Sequence, residues 1–371
     1  MTARCPYFGT CGGCQTQHLS YEQQVSNKRE RLASLLKPHY NGELTIITGE
    51  PYDYRNRMDF ITAPGITGFR VTDGRAIVDV EACAISDERI NALLREVRAW
   101  ITAQRIDTFN AKTHTGTLKY AVIRTANDTC ISFMLNEDSN RASEVIEQIK
   151  AFATTSAADH VVIAYTSKDT DQSTSSEWFC VKGTGTLSVN VDGYTISYPS
   201  QGFFQNNTRL TTAMVQHVRG ELANSSQTLV DLYGGVGTFA IPLAKNFQRV
   251  ISIEQFPEAK QCVLANAAAN NLANIEAITD DAANFAKHTI PSDAVFVIDP
   301  PRSGLSEKAL RSLLMVKPPV IAYVSCNPAV LAKELSRFAA FYTVTNAALV
   351  DLFPQTNHAE AIITLRLRQH R

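Results

Sequence analysis

Two segments in the carboxyl-terminal half of the chain carry side chains suited to covalent chemistry. Cys326, in YVSCNP, lies between a predicted strand and a predicted helix, at the rim where such sheets bind ligands. A thiol near a helix N-terminus can have a lowered pKa and act as a nucleophile. Glu360, in HAE before the final apolar run, is placed to serve as a general base. By position alone, Cys326 is equally well explained as a small buried apolar residue, and Glu360 as a solvated surface acid.

A glycine-rich segment, DLYGGVG from Asp231 to Gly237, lies where a predicted strand turns into a helix. Glycines there let the backbone turn tightly and approach a ligand closely. Glu254 ends the next strand and can accept hydrogen bonds from both ribose hydroxyls, and Asp281, after the third strand, is placed to contact the base. The glycine spacing departs from G-x-G-x-x-G and an Asp opens the segment, which favours S-adenosylmethionine over NAD. The alternative is an ordinary strand-to-helix turn with surface acids.

A third segment, DPPR from Asp299 to Arg302, ends the fourth predicted strand of this half. Two prolines remove two backbone donors and fix the loop, which leaves carbonyl groups and the Asp299 carboxyl to face a ligand. Because Arg302 follows the prolines, the segment lacks the [DN]PP[YF] form of amino-methyltransferases. That difference counts against a DNA or small-molecule methyltransferase.

Three of the eight cysteines, Cys5, Cys11 and Cys14, fall within ten residues of one another. In a reducing compartment, clustered cysteines are more often metal ligands or catalysts than disulfides. Thiolates at this spacing, with a fourth from elsewhere in the chain, could hold zinc or an iron–sulfur cluster. The glycines between Cys11 and Cys14 let the backbone wrap around a bulky centre and favour the cluster, while unligated thiols remain a third alternative.

Composition favours a globular protein. The chain has 371 residues, 44% hydrophobic and 19% charged, which is enough for two domains with sizeable cores. No apolar run approaches the roughly 18 residues of a membrane helix, and the N-terminus is polar where a signal peptide would be apolar, so we expect a cytoplasmic protein. The net charge of -1 argues against an indiscriminate polyanion binder but leaves room for a confined basic surface.

The pattern of predicted elements divides the chain in two. From about residue 208, strands alternate with helices, which predicts a parallel, doubly wound sheet covered on both faces. Strands are expected near 229–232, 250–253, 275–278, 294–298, 320–324, 344–349 and 361–367, and helices from 238 and at 257–270, 306–314 and 328–338. Earlier elements are mixed, with helices at 21–36 and 88–100 and strands at 59–62, 119–124, 130–135 and 161–165. We predict a smaller α+β domain at 1–195 and a Rossmann-like α/β domain at 196–371.

Cations concentrate between Arg55 and Arg124 in two groups. The first is poor in acids and could equally be a solvated helix face; it comprises Arg89, Arg95, Arg98, Arg105, Lys112, Lys119 and Arg124. The second has aromatic residues among the cations, as single-stranded RNA binding favours; it comprises Tyr54, Arg55, Arg57, Phe69, Arg70 and Arg75. This region is the predicted RNA-binding surface.

The chain resembles the RNA uracil-C5 methyltransferases over nearly its whole length. QGFFQNN, DLYGGVGTF, IDPPRSG, YVSCNP and DLFPQTNHAEAI occur in that family's order and at its intervals, and YRNRMDF and CPYFGTCGGCQTQHLSYEQQ extend the match. Within the family the chain is most similar to the branch that methylates 23S ribosomal RNA and carries an iron–sulfur cluster, in the form without an N-terminal OB-like domain. It departs from the family at Gly234, where many members have Cys, and at Thr238.

The resemblance implies roles for individual residues. Cys326 would be the nucleophile and Glu360 the base. The implied S-adenosylmethionine contacts are Gln205, Tyr233, Glu254 and Asp299, with Asp281 as a further candidate. The implied [4Fe–4S] ligands, which make the first domain an iron–sulfur domain, are Cys5, Cys11, Cys14 and Cys83, whereas Cys130, Cys180 and Cys262 match no motif and are expected to pack.

The implied activity is methyl transfer from S-adenosylmethionine to C5 of a uridine in structured RNA. Cys326 would add to C6 of a flipped uracil, so that C5 becomes nucleophilic. A uridine of 23S ribosomal RNA is the expected target and the T-loop uridine of tRNA the alternative. A non-catalytic iron–sulfur RNA-binding protein is the rival from another class, and the presence of both Cys326 and Glu360 counts against it. We expect a monomer without membrane contact.

Overall fold

The computed structural model describes residues 3–223 and 226–369. These residues form two compact units. The first unit takes in residues 3–20, 50–189 and 198–207, and the second takes in residues 21–49, 190–197, 208–223 and 226–369. No helix within the described ranges is long and apolar enough to cross a bilayer.

Strands and helices alternate from residue 208 to residue 350, whereas strands occur in runs of two to four before residue 208. The strands are β1 (Thr45–Ile47), β2 (Arg57–Ala63), β3 (Ile66–Arg70), β4 (Ile77–Asp79), β5 (Leu118–Thr125), β6 (Thr129–Asn136), β7 (His160–Thr166), β8 (Trp178–Lys182), β9 (Thr186–Val191), β10 (Tyr194–Pro199), β11 (Thr228–Leu232), β12 (Arg249–Glu254), β13 (Ile275–Thr279), β14 (Val295–Ile298), β15 (Val320–Ser325), β16 (Tyr342–Val350) and β17 (Glu360–Leu367). The helices are α1 (Tyr21–Leu36), α2 (Glu88–Ala103), α3 (Ala142–Thr155), α4 (Thr208–Leu222), α5 (Ala240–Leu243), α6 (Pro257–Ala269), α7 (Glu307–Val316) and α8 (Pro328–Phe338).

The second unit is built on an eight-stranded sheet with the order β1-β16-β17-β15-β14-β11-β12-β13. Strands β13, β12, β11, β14 and β15 are mutually parallel, which confirms the predicted Rossmann-like α/β fold. Strands β11, β14 and β15 are buried along their whole length, as a sheet covered on both faces requires. The sheet is not parallel throughout, because β17 lies antiparallel between β15 and β16.

The first unit contains a seven-stranded sheet with the order β4-β3-β2-β5-β6-β7-β8. Neighbouring strands are antiparallel except β6 and β7, which are parallel and connected through α3. The apolar sides of α2 and α3 contribute Ile90, Leu94, Val145 and Ile149 to its core. This unit is therefore α+β.

Residues 21–49 belong to the second unit although they precede the first unit's sheet in the chain. Leu32 and Leu36 of α1 are buried in the apolar core of the second unit, and β1 extends its sheet by pairing with β16. The compact units are therefore not the contiguous ranges 1–195 and 196–371. The roles assigned to those two domains stay predictions.

Most predicted elements are present with ends shifted by a few residues, and α1 and α8 have the predicted bounds. The helix expected from Thr238 is an exception. A four-residue helix begins at Ala240 and continues as a short 3₁₀ turn, Ala244–Asn246. Helix α3 was not predicted.

A buried ion pair fixes α1 to the segment that precedes β17. The Lys28 ammonium lies 2.6 Å from Asp351 Oδ1 and donates a second hydrogen bond to the Phe353 carbonyl oxygen at 3.0 Å. Their side chains are 5% and 0% exposed, so water cannot replace either partner. Burial lowers the pKa of Lys28, and the Asp351 carboxylate opposes that shift.

We predict that Lys28→Met lowers the free energy of unfolding by about 3 kcal/mol, because it leaves the Asp351 carboxylate buried and uncompensated. Lys37→Met is the matched control, since Lys37 is exposed just beyond α1. Urea unfolding of the two variants and the wild type measures the effect. Equal stabilities of the two variants would show that the ion pair does not stabilise this unit.

Candidate active site

The antiparallel pairing of β15 and β17 brings together the two residues expected to perform covalent chemistry. Ser325, the last residue of β15, is opposite Ala361 of β17. Cys326 follows Ser325 and Glu360 precedes Ala361, so these two residues adjoin the same last pair of the ladder. Glu360 is 3% exposed, and Cys326 is half-buried at the N-terminal end of α8.

The electrostatic environment favours the protonated form of the Cys326 thiol. Burial and the nearby carboxyl groups of Glu360 and Asp299 raise the pKa of Cys326 to about 11, while the guanidinium of Arg302 acts in the opposite direction. The free protein thus holds a thiol near neutral pH. The proton must leave before the sulfur can act as a nucleophile.

Carboxyl groups with raised pKa values surround the same strand ends. Burial raises the pKa of Asp299 to about 7, and burial together with Asp299 raises the pKa of Glu360 well above its usual value. A carboxylate with a raised pKa is a stronger base than an ordinary one. Both carboxyl groups therefore hold a proton more tightly than an exposed carboxyl group does.

The glycine-rich segment forms a strained loop after β11. Tyr233 adopts a left-handed backbone conformation with φ 63°, and Gly235 follows with φ 53°. A left-handed conformation is unusual for a tyrosine, and such strain is found most often where a ligand is held. The Glu254 carboxylate accepts hydrogen bonds from the Gly235 amide at 3.2 Å and the Gln255 amide at 2.8 Å. The acid at the end of β12 thus fixes the loop.

The backbone at Gly234 lies close to the side chain of Ser252. A Cβ atom at this position would lie 2.2 Å from Ser252 Oγ and 3.3 Å from a carboxylate oxygen of Asp231. The serine of β12 therefore occupies the space that a side chain at position 234 would need. A side chain at position 234 would therefore require Ser252 to move.

Asp231, the first residue of the glycine-rich segment, is completely buried. Its Oδ2 accepts a hydrogen bond from the Ala240 amide at 3.0 Å, whereas its Oδ1 has no hydrogen-bond partner among the described residues. Burial raises the pKa of Asp231 to about 8, with further contributions from Asp299 and Glu254. Asp231 is thus a third carboxyl group whose pKa is raised, and at neutral pH it is mostly protonated.

The two remaining cofactor candidates occupy different surroundings. Asp281 is exposed after β13 in the second unit, and its carboxylate accepts the Ala283 amide at 2.8 Å as the N-cap of a 3₁₀ helix. Gln205 is buried in the first unit, where its backbone carbonyl accepts a hydrogen bond from Asn56 Nδ2 at 2.9 Å. Their contacts with a cofactor stay predictions.

Glu334 of α8 holds the loop that follows Asp299. The sequence analysis did not identify this glutamate. One carboxylate oxygen accepts the Leu305 amide at 2.8 Å, and the other accepts a short hydrogen bond from the Tyr323 hydroxyl. A Cβ atom at Gly304, whose φ is +81°, would lie 2.3 Å from the same carboxylate. A glutamate that falls on the buried side of a predicted helix is the signal that could have indicated this role.

Helix α1 also supports the segment before Glu360. Gln24 and Gln355 are both buried and make two reciprocal hydrogen bonds of 2.9 Å, one between the side chains and one from the Gln355 amide to Gln24 Oε1. Gln355 has φ 67°, a conformation that costs free energy unless its surroundings hold it. Lys28 and Gln24 therefore order the segment 351–359 that leads into β17.

The four predicted cluster ligands line one cavity of about 180 Å³ in the first unit. Cys83 is held by Asn91 of α2, whose Oδ1 accepts the Cys83 amide at 2.8 Å and whose Nδ2 donates to the Cys83 carbonyl at 3.1 Å. Burial and the other thiols raise the pKa of Cys14 to about 12. Within the described ranges, however, no three His, Cys, Asp or Glu side chains are arranged so that they could already hold a metal ion.

Two cations of the predicted RNA-binding surface are buried in the interior of the first unit. Arg124 is 3% exposed, donates to the Ser200 carbonyl at 2.9 Å and lies over the Tyr198 ring, and Lys119 is buried with hydrogen bonds to the carbonyls of Ser167 and Thr170. The prediction that these two contribute to a surface is therefore wrong. Strand β5 is buried along its whole length, so its cations pair with carbonyl groups that are distant in sequence.

Other members of that set form ion pairs or pack in the core. Arg57 pairs with Asp59 at 2.8 Å, Arg70 with Asp171 at 2.9 Å and Arg98 with Asp79 at 2.8 Å. Tyr54 is buried, and the Phe69 ring packs 4.8 Å from that of Phe60. Exposed cations such as Arg75, Arg95 and Arg105 remain candidates for contact with RNA.

Comparison with known proteins gives consistent results. The family model described as tRNA (uracil-5-)-methyltransferase matches residues 20–292 and 288–368. An uncharacterized RNA methyltransferase of Gloeobacter violaceus is 30% identical over 391 residues, covering 98% of this chain and 82% of its own length. One from Thermotoga maritima is 29% identical over 372 residues, covering 97% and 84%.

A solved structure is similar over both units. It is the tRNA (uracil-54, C5)-methyltransferase of Pyrococcus abyssi in complex with S-adenosyl-L-homocysteine. The TM-score is 0.80 at 25% sequence identity, and the match covers 95% of this chain and 85% of the other.

The protonated state of Asp231 makes stability depend on pH. Its folded-state pKa of about 8 lies above that of an unfolded chain, so its contribution to stability is fully present below about pH 4 and is lost progressively as the pH rises to about 8. We predict that Asp231→Asn is more stable than the wild type by a margin that grows by about 3 kcal/mol between pH 5 and pH 8.

Urea unfolding of the free protein at both pH values measures this margin. The asparagine carbonyl can still accept the Ala240 amide, so the substitution removes the charge and keeps the hydrogen bond. Asp293→Asn, at an exposed position of the same unit, is the control. A margin for Asp231→Asn that does not change with pH would refute the assigned protonation state.

Proposed function

Because this chain belongs to the tRNA (uracil-5-)-methyltransferase family, we propose that it methylates C5 of one uridine in 23S ribosomal RNA through a covalent adduct between Cys326 and C6. At the coarser level, the chain is an S-adenosylmethionine-dependent RNA (uracil-C5) methyltransferase. The observation that carries the proposal is the pairing of Ser325 with Ala361, which sets the Cys326 thiol beside the buried Glu360 carboxyl.

The proposed mechanism begins with the thiol. Cys326 loses its proton to solvent, and its sulfur adds to C6 of the uracil, which moves an electron pair to O4 and makes C5 nucleophilic. S-adenosylmethionine, when bound, would supply an electrophilic methyl group to C5 and leave as S-adenosylhomocysteine. Glu360 then removes the C5 proton, and the returning electron pair expels the Cys326 sulfur from C6 and restores the double bond. The raised pKa of Glu360 suits this step, because a stronger base removes a carbon-bound proton faster.

The proposed cofactor site lies at the carboxyl ends of β11, β12 and β14. Tyr233 and Glu254 border the strained loop after β11, and Asp299 follows β14. Open α/β sheets bind ligands at these strand ends, and an acid after the second strand is suited to ribose hydroxyls. Asp281 is a further proposed contact in this unit, and a cofactor contact of Gln205, a residue of the first unit, is proposed on the family resemblance alone.

Two substitutions test the covalent chemistry in a single assay with labelled S-adenosylmethionine and RNA. Cys326→Ala should yield neither 5-methyluridine nor adduct. Glu360→Gln should slow release by at least about a hundredfold and accumulate methylated RNA bound covalently to protein, because the adduct forms but cannot lose its C5 proton.

Cys262→Ala is the matched control, since Cys262 is half-buried in α6 and is expected to retain activity. Free product at the wild-type rate from Glu360→Gln would exclude Glu360 as the base. A wild type that binds RNA and never methylates it would instead support the non-catalytic alternative.

The target RNA is the finer part of the proposal. The cysteine motif of residues 5–14 favours 23S ribosomal RNA, whereas the Pyrococcus structure belongs to an enzyme that acts on tRNA, which makes tRNA the second candidate. Mapping 5-methyluridine in both RNAs from cells that lack the gene decides between them. Loss of the modification from tRNA alone would overturn the ribosomal assignment.

A [4Fe–4S] cluster held by Cys5, Cys11, Cys14 and Cys83 is part of the proposal. The donor set fits, because four thiols line one cavity and thiolates are the ligands that such clusters take. Gly12 permits a close approach, since its amide donates to the Arg70 carbonyl at 3.0 Å and a Cβ atom would lie 3.2 Å from the Val71 carbonyl oxygen. A cluster there would supply a rigid cross-link between two segments that are distant in sequence.

We predict that anaerobically prepared protein contains about four iron and four sulfide per chain. Cys14→Ser should lose most of this iron, because it removes the ligand most enclosed by the other thiols, whereas Cys180→Ser should retain it. Metal and sulfide analysis of the three proteins measures the effect. Stoichiometric zinc without sulfide would contradict the cluster assignment.

A further inference from the structure

A second cavity, of about 60 Å³, lies beside the proposed nucleophile in the second unit. Three loops at the strand ends contribute Arg302, Cys326 and His358 to its lining. Helix α1 contributes Arg31 and Leu35. The N-terminal helix therefore reaches the proposed site of chemistry, which neither the sequence motifs nor the family comparison assigns to it.

The charged side chains that line this cavity are cationic. Lys28, Arg31 and Arg302 are present together with the imidazole of His358, and none of the described lining residues is an Asp or Glu. The charge of Lys28 is already balanced by Asp351. Arg31 and Arg302, by contrast, have no carboxylate within 4 Å among the described residues, so two positive charges remain available to a ligand.

Arg31 and Arg302 are held near the cavity by weak contacts. Arg31 Nη1 lies 3.4 Å from the Asn357 carbonyl oxygen, and Arg302 Nη2 lies 3.5 Å from His358 Nδ1. Asn357 and His358 are neighbours in the chain, so the two guanidinium groups flank the same short segment. An anion between them would compensate both charges and could accept hydrogen bonds from the N–H groups of both planar guanidinium groups.

We propose that Arg31 and Arg302 bind a backbone phosphate of the RNA next to the flipped uridine. This inference rests on the proposed function, because it takes Cys326 as the group that meets the base. A uridine inside a strand carries a phosphodiester on each side of its sugar. When the base enters the cavity, a phosphate remains at the mouth, where these guanidinium groups lie. Through Arg31, helix α1 would thus contact RNA beside Cys326.

Arg31→Gln tests the proposal, with Arg29→Gln as the matched control. Both arginines are exposed on α1 two residues apart, but Arg29 does not line the cavity. In RNA methylation assays we expect Arg31→Gln to raise KM for RNA about tenfold with kcat and KM for S-adenosylmethionine unchanged, because one charge-assisted contact is lost. Arg31→Lys should recover part of the affinity.

The salt dependence of RNA affinity tests whether the group bound by Arg31 is a phosphate. Loss of one phosphate contact should reduce the slope of log affinity against log salt by about 0.7 to 1 in Arg31→Gln but not in Arg29→Gln. Equal KM values for the two variants, or a weaker Arg31→Gln with an unchanged slope, would overturn the phosphate site. A wild-type protein that methylates no RNA would instead refute the proposed function, and that result is known before any variant is compared.

Discussion

The antiparallel insertion of β17 between β15 and β16 is the constraint on which the proposed site depends. In a fully parallel sheet, the start of the last strand would lie at the edge opposite the ligand-binding rim. Reversal of β17 puts its first residue, Glu360, at the end of β15, where Cys326 leaves the sheet. The direction of β17 therefore decides whether the proposed nucleophile and the proposed base lie next to each other. The remaining parallel strands deliver Asp299 and the glycine-rich loop to the same edge.

Bringing these groups together concentrates carboxyl groups where water is excluded. Asp231, Asp299 and Glu360 all have raised pKa values because burial disfavours their charged forms, and the carboxylates reinforce one another. The same environment keeps Cys326 protonated in the free protein. Such an arrangement costs stability near neutral pH, and in the proposed mechanism it strengthens the base that takes a proton from carbon. Proline-fixed loops, Glu334 and α1 hold the arrangement in place.

Helix α1 has a larger part in the second unit than its position in the chain suggests. Its Leu32 and Leu36 enter the core, its Lys28 and Gln24 order the segment before Glu360, and its Arg31 reaches the cavity beside Cys326. In the first unit, by contrast, the cations between Arg55 and Arg124 contribute less to a surface than the sequence suggests. Several of the cations expected to bind RNA are instead buried within β5 or paired with acids.

The sequence by itself determined most element types of the second unit, its Rossmann-like pattern and the residues that could do chemistry, because periodicity, prolines and glycines are local signals. It also predicted four thiols that share one cavity. Tertiary structure alone decided the direction of β17, the assignment of residues 21–49 to the second unit and the protonation of the buried acids. The assignment of residues 21–49 depends on contacts between residues hundreds of positions apart, such as Lys28 with Asp351. The other two depend on contacts between residues tens of positions apart, such as Ser325 with Ala361. Strand direction and burial are collective properties of the packed chain, which no local pattern of residues encodes.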